Sequence, residues 1–247
     1  MRVLITGATG RVGGALARTL EGRVEKRLTG RAAGHVPFDF NNPQTFAPAL
    51  DGCDAVFLMR PPQIVSGRAF GPFLDAARAC GVNRMVVLSV KGAESNRILP
   101  HHGMEREVIA RGFDWTMLRP ADFMQNLETV HLAGIRDLSE IAVPAGVGRS
   151  AFIDVEDVAA VAARVLTEDG HARRGYALTG PPALSFHDVA AILSDVLGRP
   201  IRYCPPGILR FIRAQQTGGV PLSMALVMTA LYTAQRLGRA AEVTKDV

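Results

Sequence analysis

Three groups of residues in this 247-residue sequence have the types and spacing for chemistry. The first is Gly7-Ala8-Thr9-Gly10-Arg11-Val12-Gly13. It follows without a gap on Arg2 to Thr6, a β-branched and aliphatic run that reads as a buried strand, and it leads into Val12, Leu16 and Leu20, an apolar stripe at helical spacing. A strand that turns through glycines into a helix aims backbone N–H groups and the positive end of the helix dipole at one point, which suits a pyrophosphate. On that reading Gly7 makes the turn, Gly10 lets a diphosphate approach the backbone, Gly13 lets the helix pack closely on the strand, and Thr9, Arg11 and Val12 complete the loop. The second group is Ser89, at the end of the apolar run Arg84 to Ser89, placed either to donate to a substrate carbonyl or nicotinamide amide or to cap the next turn. The third is His101 with Glu105, four apart after Pro100, which puts an imidazole and a carboxylate on one helix face. That pair could orient the imidazole for proton transfer or be a surface pair; His102 and Arg106 have the same spacing, so spacing does not decide which pair looks inward.

The position that chooses between dinucleotides lies roughly 20 residues past such a glycine loop, where a carboxylate holds a ribose 2′-hydroxyl and an arginine suits a 2′-phosphate. No Asp or Glu lies between Lys26 and Phe38, and Arg31 ends the second strand, so NADP(H) is favoured, with a solvated loop cation as the alternative for Arg31. Asp39 and Phe40 would lie near the adenine. Met59 and Arg60, Ser89 and Pro120 end successive strands and, with Phe123, would surround the nicotinamide, because ligands of doubly wound sheets sit beyond the carboxyl ends of the strands.

The elements that must hold these residues are strands at Arg2 to Thr6, Val24 to Thr29, His35 to Phe40, Ala55 to Met59, Arg84 to Ser89 and Asp114 to Leu118. Helices are expected between them, including Asn42 to Leu50, Gly67 to Cys80 and one from Pro100. Six strands alternating with helices predict an α/β Rossmann fold with a doubly wound parallel sheet in the order 3-2-1-4-5-6. Later segments read as helices at Asp122 to Ala133, Asp154 to Leu166 and Ser185 to Leu197, short strands at Tyr176 to Thr179 and Ile201 to Tyr203, and helices from Pro205 onward. They predict a small C-terminal α/β substrate subdomain: residues 1–152 form the dinucleotide core, and residues 153–247 are mainly substrate-side, with some segments returning to the core.

Composition narrows the classes. Hydrophobic residues at 48% and charged ones at 21% describe an ordinary globular chain. The net charge of +5 is scattered rather than gathered into a run interleaved with aromatics, so no nucleic-acid partner is expected. Cys53, Cys80 and Cys204 have neither metal-ligand nor disulfide-framework spacing, so no metal is expected. No leader precedes the first strand, and the longest apolar stretch, Leu222 to Ala234, is too short to span a bilayer, so a cytoplasmic protein away from membranes is expected.

The glycine loop, Leu88-Ser89-Val90-Lys91-Gly92-Ala93, His101 with Glu105, Asp114-Trp115-Thr116-Met117-Leu118-Arg119-Pro120, Phe123-Met124-Gln125-Asn126-Leu127 and Ile153 to Ala159 together resemble the NmrA-like branch of the atypical short-chain dehydrogenase/reductases. The likeness runs from Met1 to about Tyr203. It implies an NADP-binding Rossmann core with a small substrate domain. It also implies a reductase of quinones or related small molecules, or a dinucleotide-binding redox sensor that acts through a protein partner. Ordinary short-chain reductases use a Tyr-x-x-x-Lys pair, but here no tyrosine lies between Met1 and Asp154, so the proton donor is open. His101 stands where members of this branch carry a histidine. Relatives continue past the equivalent of Glu242 to Val247 into a closing helix, so this end would leave the substrate side more open. The expectation is an NADPH-dependent oxidoreductase that passes hydride to a small conjugated carbonyl or quinone, with a homodimer as its assembly. A sensor and a narrow biosynthetic reductase or isomerase are the rivals.

Overall fold

A computed structural model describes residues 1–30 and 32–246 of the chain. In chain order the elements are β1 (Arg2–Ile5), α1 (Arg11–Thr19), β2 (Glu25–Leu28), α2 (Phe46–Leu50), β3 (Ala55–Met59), α3 (Gly71–Ala79), β4 (Arg84–Leu88), α4 (Pro100–Ala110) and β5 (Asp114–Pro120). There follow β6 (Glu140–Ile141), β7 (Arg149–Ser150), α5 (Val155–Thr167), β8 (Arg174–Leu178), β9 (Leu184–Ser185), α6 (Phe186–Leu197), β10 (Arg202–Tyr203), α7 (Ile208–Thr217) and α8 (Leu222–Arg236). They divide into two compact units. One comprises Met1–Pro120 and Val155–Leu178, joined by Asp246, and the other Ala121–Asp154 and Thr179–Lys245. The chain leaves the first unit after Pro120, returns to it as α5 and β8, and leaves it again after Leu178.

The first unit is built on a parallel sheet of six strands in the order β2-β1-β3-β4-β5-β8. The doubly wound parallel fold is as expected, and its strand order differs at both edges. His35 to Phe40 is not a strand: only Val36 bridges to Thr29. Pro37 has no N–H to give a ladder, and Phe38 and Phe40 pack edge-on against Phe73 at 5.2 and 5.3 Å. The sixth strand is β8, read from the sequence as part of the substrate subdomain; it pairs with β5 from Thr116↔Arg174 to Pro120↔Leu178.

The central strands bury both faces, which is why they read as continuous apolar runs. Leu4, Val56, Leu58, Met85, Val87 and Met117 meet Phe46, Phe70, Phe73 and Val108 on the side of α2, α3 and α4. Their alternates, Val3, Ile5, Phe57, Val86 and Leu118, are equally buried on the side of α1 and α5. Each fully buried side chain of this size contributes roughly 1.5–3 kcal/mol. On the first side, Gly67 lies backbone to backbone on Gly103 of α4: a Cβ on Gly67 would sit 2.1 Å from the Gly103 carbonyl carbon. That contact seats the first turns of α4 against the chain that leaves β3.

The second unit has its own core, where Phe186 stacks on Tyr203 at 5.6 Å between ring centres and packs edge-on with Phe152. β6 pairs with β10, β7 pairs with β9, and Ser185 and Asp188 close a capping box on α6. Asp122 to Ala133, expected as one helix, instead holds a single turn at Met124–Asn126, and helical backbone resumes at Leu132, running into a wide turn at Gly134–Leu138. Asn126 spends its amide on the Asp122 carboxylate at 2.6 Å and Thr129 its hydroxyl on the Gln125 carbonyl at 3.0 Å, local bonds that compete with a helical ladder.

Gly67→Ala is expected to destabilise the fold by about 1–3 kcal/mol, since its methyl meets backbone that cannot rotate away. Urea unfolding checks it, and a midpoint equal to that of the wild type refutes the close-approach argument.

Candidate functional site

The glycine loop folds as the sequence demands. Gly7 has φ +66°, the left-handed region, and its N–H donates to the Thr29 hydroxyl at 3.2 Å. Gly10 donates back to the Gly7 carbonyl at 2.9 Å, closing a tight turn from which α1 starts. A Cβ on Gly13 would stand 2.4 Å from the Gly7 carbonyl oxygen, so α1 can approach β1 only with glycine there. Gly10 is the extended residue before α1 and no side chain caps it, so the helix presents its first-turn backbone N–H groups and its positive dipole end. These residues fit a dinucleotide pyrophosphate. Thr9 and Arg11 are exposed at the loop, whereas the Val12 side chain is buried, so Val12 can offer only its backbone.

Farther along, Arg31 lies outside the described residues. Asp39 is exposed and folds back to accept from the Asn41 N–H at 2.9 Å, and the Phe40 ring is committed to packing against Phe70 and Phe73.

At the strand ends, Met59, Arg60, Ser89, His101, Glu105 and Pro120 all belong to the first unit, while Phe123 belongs to the second, where it bridges to Ile153. Met59 lies over the loop, its methyl 2.5 Å from where a Gly7 Cβ would be. The Pro120 carbonyl accepts the Lys91 N–H at 2.9 Å.

Sequence spacing paired His101 with Glu105; their hydrogen bonds go to other residues. Glu105, only 3% exposed, accepts the Ser89 hydroxyl at 2.5 Å and both arms of Arg119 at 3.0 and 2.7 Å. Ser89 therefore donates to Glu105 rather than to an incoming carbonyl. The His101 Nε2 accepts from the Arg60 Nε at 3.3 Å. Burial first, and then the Arg60 cation, pull its pKa down to about 4 against the opposing pull of Glu105. The imidazole is thus neutral at physiological pH, and with Nε2 accepting, its proton sits on Nδ1, a buried atom with no partner among the described residues.

Three residues that hold the site carried no role in the sequence reading. Thr6 donates to the Phe57 carbonyl at 3.0 Å and accepts the Met59 N–H at 2.7 Å, tying β1 to the end of β3. Thr29 does the equivalent for Gly7, and Arg119 neutralises Glu105. The signal available was a polar residue at the end of an apolar strand, which alone does not name its partner. Glu105→Gln is expected to cost about 3 kcal/mol in urea unfolding, because it leaves the half-buried Arg119 with only Glu94 at 3.4 Å; a loss under about 1 kcal/mol refutes the pairing's importance.

Comparison with known proteins agrees with this geometry. The profile of the NAD(P)H-binding family matches residues 7–169. The chain is 34% identical to an NAD(P)H azoreductase of Xenophilus azovorans, over 93% of this chain and 86% of that protein. It is 31% identical to an uncharacterized oxidoreductase of Bacillus subtilis, over 99% and 88%. Its fold superposes on an NADPH-dependent quinone oxidoreductase from Escherichia coli, solved with NADPH, with a TM-score of 0.85 at 23% identity, covering 99% of this chain and 92% of that one. With a glycine loop shaped for a pyrophosphate and a profile match across most of its length, the chain belongs to the NAD(P)H-binding family.

Proposed function

We propose that this protein is an NADPH-dependent reductase that delivers hydride to a small conjugated carbonyl, with quinones the first class to test. The observation that carries the reading is the placement of a neutral imidazole, His101, and a cation, Arg60, at the strand ends of the unit that also bears the uncapped glycine loop. The Xenophilus relative, an NAD(P)H azoreductase, supports a reductase, and the quinone oxidoreductase of the same fold suggests the acceptor.

The bound dinucleotide supplies the hydride. Gly7, Gly10, Gly13 and the first turn of α1 hold its pyrophosphate, and Arg31 its 2′-phosphate. Ser89 and Glu105 act as positioning residues: with Arg119 they fix α4 to β4 and β5 and so place His101. His101, its Nδ1 buried, positions the Arg60 guanidinium at the strand ends, and Met59 and Pro120 confine the reacting ring. Proximity and orientation are the larger part of such a reaction, since no strong acid is needed to start it.

A dinucleotide sensor is the second reading, favoured by the lack of a tyrosine between Met1 and Asp154. Calorimetric titration with NADPH, NADP, NADH and NAD separates the two: preference for NADPH, followed by its oxidation with a quinone or enone, supports the reductase, and indifference to redox state supports the sensor. Arg31→Ala is expected to weaken NADPH about tenfold or more and NADH hardly at all; equal losses overturn its role. Because the imidazole titrates near 4 rather than in the ordinary range around 6.5, kcat is expected to be flat from about pH 6 to 8. An inflection near pH 6.5 that vanishes in His101→Ala would show that the histidine works by changing charge.

A further inference from the structure

The guanidinium of Arg60 is half-buried and has no carboxylate partner among the described residues. Arg119, the comparable cation at the mouth of β5, is neutralised by Glu105 at 2.7 Å and Glu94 at 3.4 Å. Burial alone acts on Arg60, pulling its pKa down with no acidic group opposing. Its plane is nevertheless fixed: Nη1 donates to the carbonyls of Pro61, Pro62 and Ile64 at 3.1, 3.2 and 2.7 Å, and Nε to His101. That leaves Nη2 without an acceptor among the described residues and not sealed from solvent. His101, the residue it touches, lies in the first turn of α4, an eleven-residue helix with no side-chain cap and no acidic residue in that turn. A fixed cation and an unneutralised helix N-terminus therefore meet at one place with no anion among the described residues to balance them, an arrangement that costs stability unless a ligand brings the charge.

We propose that Arg60 is the catalytic residue that stabilises the negative charge placed on the acceptor oxygen during reduction. This rests on the reductase reading. In the step, the acceptor ring of a quinone gains a hydride from the reduced dinucleotide: the cofactor C–H bond breaks, a bond from hydride to acceptor forms, and the carbonyl π pair moves to oxygen. The oxygen becomes an enolate facing Nη2, water protonates it, and loss of the ring C–H proton to water with protonation of the second carbonyl oxygen completes the hydroquinone; the two electrons would come from the reduced dinucleotide, which would be left oxidised. Preset donors of this kind act without reorganising at the moment of reaction, so they replace the tyrosine acid that the sequence lacks. His101, kept neutral, does not compete for the anion; it holds the guanidinium in plane.

The test uses Arg60→Gln and Arg60→Lys in the full chain, with 4-nitrophenolate as a nonreactive mimic of the product anion and menadione as acceptor. Wild type is expected to bind nitrophenolate about tenfold or more tightly than Arg60→Gln, and Arg60→Lys to recover part of that, while the NADPH dissociation constant changes by less than about twofold. In single-turnover oxidation of NADPH at saturating menadione, Arg60→Gln is expected to be about a hundredfold slower. Equal nitrophenolate binding by wild type and Arg60→Gln, or no binding by wild type, overturns the proposal. So does a loss confined to NADPH, which would assign Arg60 to the cofactor phosphates, or a fall in melting temperature with all ligands lost alike and no rescue by lysine, which would make it a loop staple. If nitrophenolate discriminates as expected but wild type oxidises NADPH with no quinone or enone, the anion site stands and the reductase reading falls.

Discussion

A carboxylate cannot stay charged inside a protein without donors to replace the water it has lost, and the first unit is arranged around meeting that need for Glu105. Its donors come from the ends of two strands, Ser89 just past β4 and Arg119 in β5, so satisfying one buried charge fixes α4 against both. The Gly67–Gly103 contact seats the same helix against the chain that leaves β3. Three successive strand ends thus become a single rigid rim, and His101, one turn before Glu105, is carried to Arg60 by it. Spacing put the histidine and the carboxylate on one helix face; the sheet then gave each a different partner.

The two arginines at this rim have opposite electrostatic settings. Arg119 is held by two carboxylates and serves structure, whereas among the described residues Arg60 is held by carbonyls and an imidazole and keeps its charge unspent. Burial works on His101 in the same direction as the neighbouring cation, keeping it neutral so that positive charge at this point is concentrated on the guanidinium. The glycine loop provides positive potential by another means, backbone N–H groups and a helix dipole, which suit an anion without desolvating a side-chain charge.

The second unit has a different internal logic. Its core is aromatic, with Phe186 against Tyr203, Phe152 and Tyr232, and the Tyr232 hydroxyl lies 3.2 Å from His131, whose pKa burial pulls down to about 4. Its short strands give it little ladder, so packing of large flat rings carries the stability that a sheet supplies in the first unit.

The glycine loop, the four strands β1, β3, β4 and β5 and the start of α4 at Pro100 were legible in the sequence, because each rests on local chemistry: positive φ and close approach at Gly7 and Gly13, unbroken apolar runs in strands covered on both faces, proline at a first helical turn. β2 was legible as well, within Val24 to Thr29, and β8 in part as the short strand Tyr176 to Thr179; their places at the sheet edges were not, because both are polar and half-exposed and which strand closes an edge depends on where α5 returns the chain. His35 to Phe40 alternated like a strand but was drawn into the aromatic cluster by packing that no local window contains. For the same reason the sequence could name His101, Glu105, Ser89 and Arg60 but not their bonds. Partners sixteen, fourteen and forty-one residues apart are chosen by strand register and helix docking, which exist only once the chain has folded.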